Sequence, residues 1–143
     1  MIAVRTGPDL RIAVVAAPSY VNGRRAPRKP QDLAEHACIN LRLPTHGGFY
    51  AWEFRKGHRE VKVGVQGRVA FNTVSMIREA AFEGLGFAYL PADRVEADIQ
   101  KGDLVHVLAD WCPPRPGYHL YYPSRRQPSP AFALVVDALR WRA

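Results

Sequence analysis

Apolar residues fall along this chain in short blocks of two different periods, separated by proline and glycine. Leu10 to Ala17 (LRIAVVAA) is a nearly continuous apolar run bounded by turn residues, the pattern of a strand buried on both faces. Ile2 to Arg5 is a shorter strand before it, closed by Gly7-Pro8-Asp9. Pro18 ends the long run. Ser19 to Pro30, rich in Arg, Pro and Gly, carries no period and reads as a surface loop. Pro30 suits the first turn of a short helix running through His36. Ala37 to Leu43 is a strand that stops at Pro44 and opens into Thr45-His46-Gly47-Gly48. An aromatic segment, Phe49, Tyr50, Trp52 and Phe54, then resumes the chain. Alternation interrupted by Pro and paired Gly predicts a polar loop between two strands, either an ordinary turn or a binding loop on a rigid base.

The rest of the chain keeps alternating between the two periods. Trp52 to Phe71 reads as a hairpin, with Lys56-Gly57-His58 as the turn and Val61, Val63 and Val65 in alternation, followed by a short strand at Val69 to Phe71. Asn72 or Thr73 caps a helix whose apolar face is Val74, Ile77 and Ala81, with Gly84 as its stop. Gly86 to Leu90 is a strand, Pro91 starts a further helix that ends at Gly102, and Leu104 to Leu108 is a strand. Pro113 to Gly117 breaks all regularity before the strand Tyr118 to Tyr122. Ser129-Pro130 opens a last helix with Phe132, Val135, Val136 and Leu139 on one face. Strands alternating with helices at these lengths predict an α/β fold with an at least partly parallel sheet.

Composition narrows the class. At 143 residues, 48% apolar and 23% charged, the chain has the make-up of one globular domain. No apolar run reaches the roughly 20 residues of a membrane helix, and no signal sequence follows Met1, so a cytoplasmic protein is expected. Cys38 and Cys112 stand far apart with no CxxC pair, which favours buried thiols and leaves a single bridge open. The net charge of +7 is spread in pairs (Arg24-Arg25, Arg28-Lys29, Arg125-Arg126), without the stacking aromatics or helix stripe of a nucleic-acid reader. It biases the surface toward anionic partners.

Catalytic and metal chemistry find little support. The histidines at 36, 46, 58, 106 and 119 share no metal-ligand spacing, and no cofactor loop of the GxGxxG or Walker type is present. No serine lies in a GxSxG setting, and Cys38, beside His46 in sequence terms, sits on an apolar run where a thiol is inert. No metal, cofactor or enzymatic activity is expected. Two other features stand out: the loop after one strand and the helix start at Asn72-Thr73 after another. In an α/β sheet both follow strand C-terminal ends, where ligands bind, and a helix N-terminus offers free N–H groups to an anion. The competing interpretation is that Asn72 and Thr73 only cap their own helix.

Three blocks carry a family likeness. CINLRLPTHGGFYAWEF, FNTVSMIREAAFEGLGFAYLP and GYHLYYPSRRQPSPAFALVVDALR, in this order and spacing, resemble the effector-binding domain of a LysR-type transcriptional regulator over essentially the whole chain. The resemblance implies a periplasmic-binding-protein-like (type 2) α/β fold of two lobes with an effector in the cleft between them. It maps residues 1–17 to a remnant of the first lobe and a crossing strand, 18–117 to the second lobe, and 118–143 to the return strand and last helix of the first lobe. It also implies effector-binding residues Pro44, Thr45, His46, Gly47, Gly48, Asn72, Thr73 and Val74, a small effector, for which the helix N-terminus suggests an anion, and a homodimer or higher oligomer, with Met76 and Ile77 serving either packing or a partner. A whole regulator of this kind starts with a helix-turn-helix, a linker helix and most of the first lobe. None of these is recognised here, so operator DNA is expected to be contacted only through a part this sequence lacks, with the chain a fragment or a truncated frame. A free-standing solute-binding or dimerisation module is the alternative.

Overall fold

The computed structural model describes residues 1–45, 47–123 and 129–142. Their contacts divide into two compact units. The first is built from the described residues of Met1–Leu10 and Pro114–Ala143, the second from Arg11–Pro113.

The second unit is organised on β2 (Ile12–Ala16), the middle strand of a three-stranded sheet. Its residues Ala13 to Ala16 are wholly buried, as an uninterrupted apolar run requires. β7 (Ala88–Pro91) and β8 (Val105–Val107) flank it, both antiparallel. Because successive residues of β2 face opposite sides, the strand feeds two cores. Val14 and Ala16 pack with Leu33, Trp52, Phe54, Phe87 and Trp111, while Ala13 and Val15 pack with Ile39, Ile77, Ala81, Leu90, Val95 and Leu104.

Along the chain between β2 and β7 come two further strand pairs. β3 (Asn40–Leu41) runs parallel to β6 (Ala70–Phe71), and β4 (Trp52–Lys56) forms an antiparallel hairpin with β5 (Arg59–Val63). A parallel bridge joins Cys38 to Phe87, which ties the start of β3 toward β7. That bridge requires glycine at position 86. Its φ is +136°, and a Cβ there would run into the carbonyl of Ala37. The expected partly parallel α/β arrangement is therefore present, with the parallel pairing among the described residues confined to β3, β6 and this bridge.

Helices pack beside the strands. α2 (Val74–Phe82) buries Ile77, Ala80 and Ala81, and α3 (Glu96–Lys101) ends at Gly102 in a left-handed cap. Three local expectations shift. Pro18, expected only to end a strand, also opens a helical turn, α1 (Pro18–Val21), inside the stretch read as loop. Four residues have no period to detect, and the turn is held by tertiary contact: buried Tyr20 receives a hydrogen bond from the Ala37 N–H at 2.9 Å. Pro91 does not start a helix. It pairs with Ile12 as the last residue of β7, and a 3-10 turn at Ala92–Arg94 precedes α3. The helix expected from Pro30 is a 3-10 helix, Pro30–Glu35.

In the first unit β1 (Ile2–Arg5) pairs antiparallel with β9 (His119–Tyr122), and α4 (Pro130–Leu139) follows. The Ser129 hydroxyl accepts from the Phe132 N–H at 3.1 Å, as the Ser-Pro start predicts. Val4 and Val136 are its buried apolar residues, and the Trp141 N–H donates to the Arg5 carbonyl at 2.7 Å.

Candidate functional site

The loop and the helix start singled out in the sequence lie side by side. In the parallel β3–β6 pair Leu41 stands opposite Phe71, and the Arg42 N–H donates to the Phe71 carbonyl at 2.8 Å. Parallel strands end on the same edge, so the chain leaves β3 into Pro44–Gly48 and leaves β6 into Asn72–Val74 from neighbouring positions. Sequence alone placed each segment after a strand. The register places them next to each other.

The loop is a closed turn rather than an open excursion. Arg42 bridges antiparallel to Phe49, the Leu43 N–H donates to the Gly48 carbonyl at 2.8 Å, and the Tyr50 N–H donates to the Leu41 carbonyl at 2.9 Å. Gly47 has a φ of +63°, the left-handed conformation that glycine adopts without Cβ strain. Pro44 and Thr45 are exposed at its tip, as are Gly47 and Gly48. His46 lies outside the described residues.

On the other segment Asn72 is exposed, and Val74 is half-buried against the core that holds Ile77 and Leu90. Thr73 is the N-cap: its hydroxyl oxygen accepts from the Met76 N–H at 3.4 Å. The capping role weighed in the sequence is thus present, and it leaves the hydroxyl proton as a donor. α2 has no acidic residue in its first turn, so the positive end of its dipole is not offset there.

Not every suggestive residue belongs to this edge. The aromatic segment after the loop is mostly core wall: Trp52 stacks on Tyr89 at 5.4 Å between ring centroids, and Phe54 meets the same ring edge-on at 5.8 Å. Cys38 is buried, and burial pushes its thiol pKa up to about 12, so it stays protonated and inert. Among the described residues no group of three or more His, Cys, Asp or Glu side chains could hold a metal ion.

One residue of the edge escaped the sequence reading. Arg42 is exposed at the end of β3, with its guanidinium 5.5 Å from the centroid of the Phe49 ring. A lone arginine inside the run Leu41-Arg42-Leu43 has no motif, and only its backbone pairing with Phe71, next to Asn72, gives it interest. Its backbone lies at the edge from which both segments leave, since its N–H donates to the Phe71 carbonyl.

Known proteins share both sequence and fold with this chain. The LysR substrate binding domain family matches residues 3–143. A putative transcriptional regulator of Pseudomonas aeruginosa is 55% identical over 141 residues, 99% of this chain and 46% of that protein. The HTH-type transcriptional regulator PgrR of Escherichia coli is 44% identical over 142 residues, 99% of this chain and 48% of PgrR. The full-length Vibrio cholerae virulence activator AphB, a member of the LTTR family, superposes with a TM-score of 0.73 at 27% identity, over 97% of this chain and 46% of AphB. The chain thus spans about half the length of the curated relatives it matches. These relatives are transcriptional regulators, not enzymes, and among the described residues no helix is long and apolar enough to cross a membrane. Family, relatives and the mixed α/β architecture agree: the chain belongs to the LysR substrate-binding domain family, the effector-binding part of LysR-type transcriptional regulators, with a type 2 periplasmic-binding-protein-like fold.

Proposed function

We propose that Pro44–Gly48 and Asn72–Val74 form one wall of an effector site, that the effector is a small anion, and that its binding controls the DNA affinity of a regulator containing this domain. The observation that carries this reading is the parallel β3–β6 register, from which both segments leave on one edge, where the first turn of α2 holds no acidic residue. Thr45 and Asn72 supply directional hydrogen bonds, the Thr73 hydroxyl a donor, and Arg42 a charge. In this reading the lobes follow the division 1–17, 18–117 and 118–143, and the second wall comes from the first lobe of the intact regulator. The effector then acts by population shift, binding one lobe arrangement better than another and biasing the geometry of a homodimer or higher oligomer. Operator DNA is met by the helix-turn-helix of the intact protein.

The test is made on the intact regulator. A thermal-shift screen of small carboxylates, amino acids and phosphate esters finds the ligand, and calorimetry measures it. Loss of one hydrogen bond in each of Thr45→Val and Asn72→Ala should weaken binding by up to about tenfold. Unchanged affinity in both variants removes the site from this edge.

A second reading, a free-standing solute-binding or dimerisation module, is favoured by the apolar surface of the first unit. Leu134, Val135 and Leu139 of α4 are 73%, 53% and 48% exposed.

A further inference from the structure

Charge that is scattered in pairs along the sequence is gathered by the fold of the second unit. A cleft of about 520 Å3 opens between loop residues 25–29, the 3-10 helix Pro30–Glu35, the tip of the β4–β5 hairpin and Trp111. Arg25, Arg28 and Lys29 line it together with Lys56 from the hairpin. Arg25, Arg28 and Lys29 are all exposed, and the charges of Arg25 and Lys29 act on the Asp32 carboxylate beside them. Lys56 is held by Asp110 at 2.8 Å and lies 5.7 Å from the centroid of the Trp111 ring. Arg59, next along the hairpin, sits 5.8 Å from the same ring.

Two carboxylates and a histidine share the lining with the four cations. Asp32 accepts from the backbone N–H groups of Arg28 at 2.9 Å and Lys29 at 3.2 Å, so its charge orders the basic loop. Those bonds, with that to Arg28 the larger, hold the Asp32 pKa below the usual carboxylate value. Glu35 is the other carboxylate of the lining. The Tyr20 hydroxyl receives the Ala37 N–H and lies 3.1 Å from Nδ1 of His36.

We infer that this cleft is a second anion site, which takes a compact polyanion carrying two or more phosphate or carboxylate groups. Its volume lies in the range of small-molecule sites, but its lining is cationic where a drug-like pocket would be apolar. Arginine forks match carboxylate and phosphate oxygens, and several cations around one cleft favour a ligand with several negative groups. Trp111 is only 5% exposed and presents no face for base stacking, which disfavours a nucleic-acid strand. The cleft shares no lining residue with Pro44–Gly48 or Asn72–Val74. β4 separates them, since its five residues carry the chain roughly 13 Å from Trp52 to the hairpin tip. The inference therefore stands or falls apart from the effector edge.

Calorimetry and NMR titration of the 143-residue chain at low ionic strength, with inorganic pyrophosphate and with citrate, test it. We expect saturable one-to-one binding of at least one of them and a shifted Trp111 indole resonance. Tighter pyrophosphate identifies a phosphate site and tighter citrate a carboxylate site. Arg28→Ala and Lys56→Ala, both exposed positions that leave the core intact, should each weaken binding about tenfold, whereas Lys101→Ala on α3 leaves it unchanged. Absence of saturable binding by either probe overturns the inference, and so do equal losses in the cleft and Lys101 variants. Tighter binding of random-sequence duplex DNA that the cleft variants abolish also overturns it, in favour of an open polyanion surface.

Discussion

His106 sits on β8 opposite Val15, and its Nε2 atom is buried with no hydrogen-bond partner among the described residues. Burial first, and the Arg11 charge second, lower its pKa below the ordinary 6.5. The folded chain therefore takes this proton less readily than the unfolded chain. Stability from this group is complete above about pH 6.5 and is lost as pH falls toward the lower folded pKa. Urea denaturation at several pH values between 7.5 and 5 should show the decline, and His106→Leu should flatten it. An identical slope in the variant would assign the titration to another group. Asn40 is a related case: its side-chain amide donates to the Val65 carbonyl at 3.0 Å while Oδ1 is buried without a partner among the described residues. Neither residue looks unusual in the sequence, because a polar residue in a strand declares its burial only when the neighbouring strands are known.

Among the elements, α2 and α3 are joined by a bidentate, largely buried ion pair. The Arg78 guanidinium donates to both carboxylate oxygens of Asp98, at 2.8 to 3.1 Å, and also lies 4.7 Å from the centroid of the Phe82 ring. Asp98 is 7% exposed, so removing it strands a half-buried arginine. Asp98→Ala should cost about 2 kcal/mol, below the range for a fully buried pair because the Arg78 side chain keeps 31% exposure. Thermal or urea unfolding measures the loss, and a change of under about 0.5 kcal/mol, within the range of an ordinary surface substitution, would rule the pair out as a stabilising contact. The helix ends were legible beforehand: Thr73, Ser129-Pro130 and Gly102 act through hydrogen bonds or backbone angles within one turn. α1 was not, since Tyr20 gains its stabilising partners from Ala37 and His36, far along the chain.

For the whole molecule, the two units differ in how fully they bury their apolar residues. The second has two cores, whereas the first leaves Tyr118, Tyr121, Leu134 and Val135 more than half exposed. Contiguous exposed apolar surface favours association. Light scattering of the chain should therefore give an average mass above 16.0 kDa that grows with concentration, and Leu134→Glu with Leu139→Glu should bring it back to 16.0 kDa. A parent chain that stays monomeric at every concentration would end the association reading. By itself the sequence determined what depends on near neighbours: the period of each element, the caps and turns, the α/β class and the family blocks. The tertiary structure alone decided what depends on strand register and on the meeting of distant segments. It paired β3 with β6 and so sent the chain into Pro44–Gly48 and Asn72–Val74 from neighbouring positions, and it drew Arg25, Arg28 and Lys29 around one cleft with Lys56. Loop and helix start remain the candidate site because a parallel register sends both chains out over the same edge, a relation that no spacing along the sequence expresses.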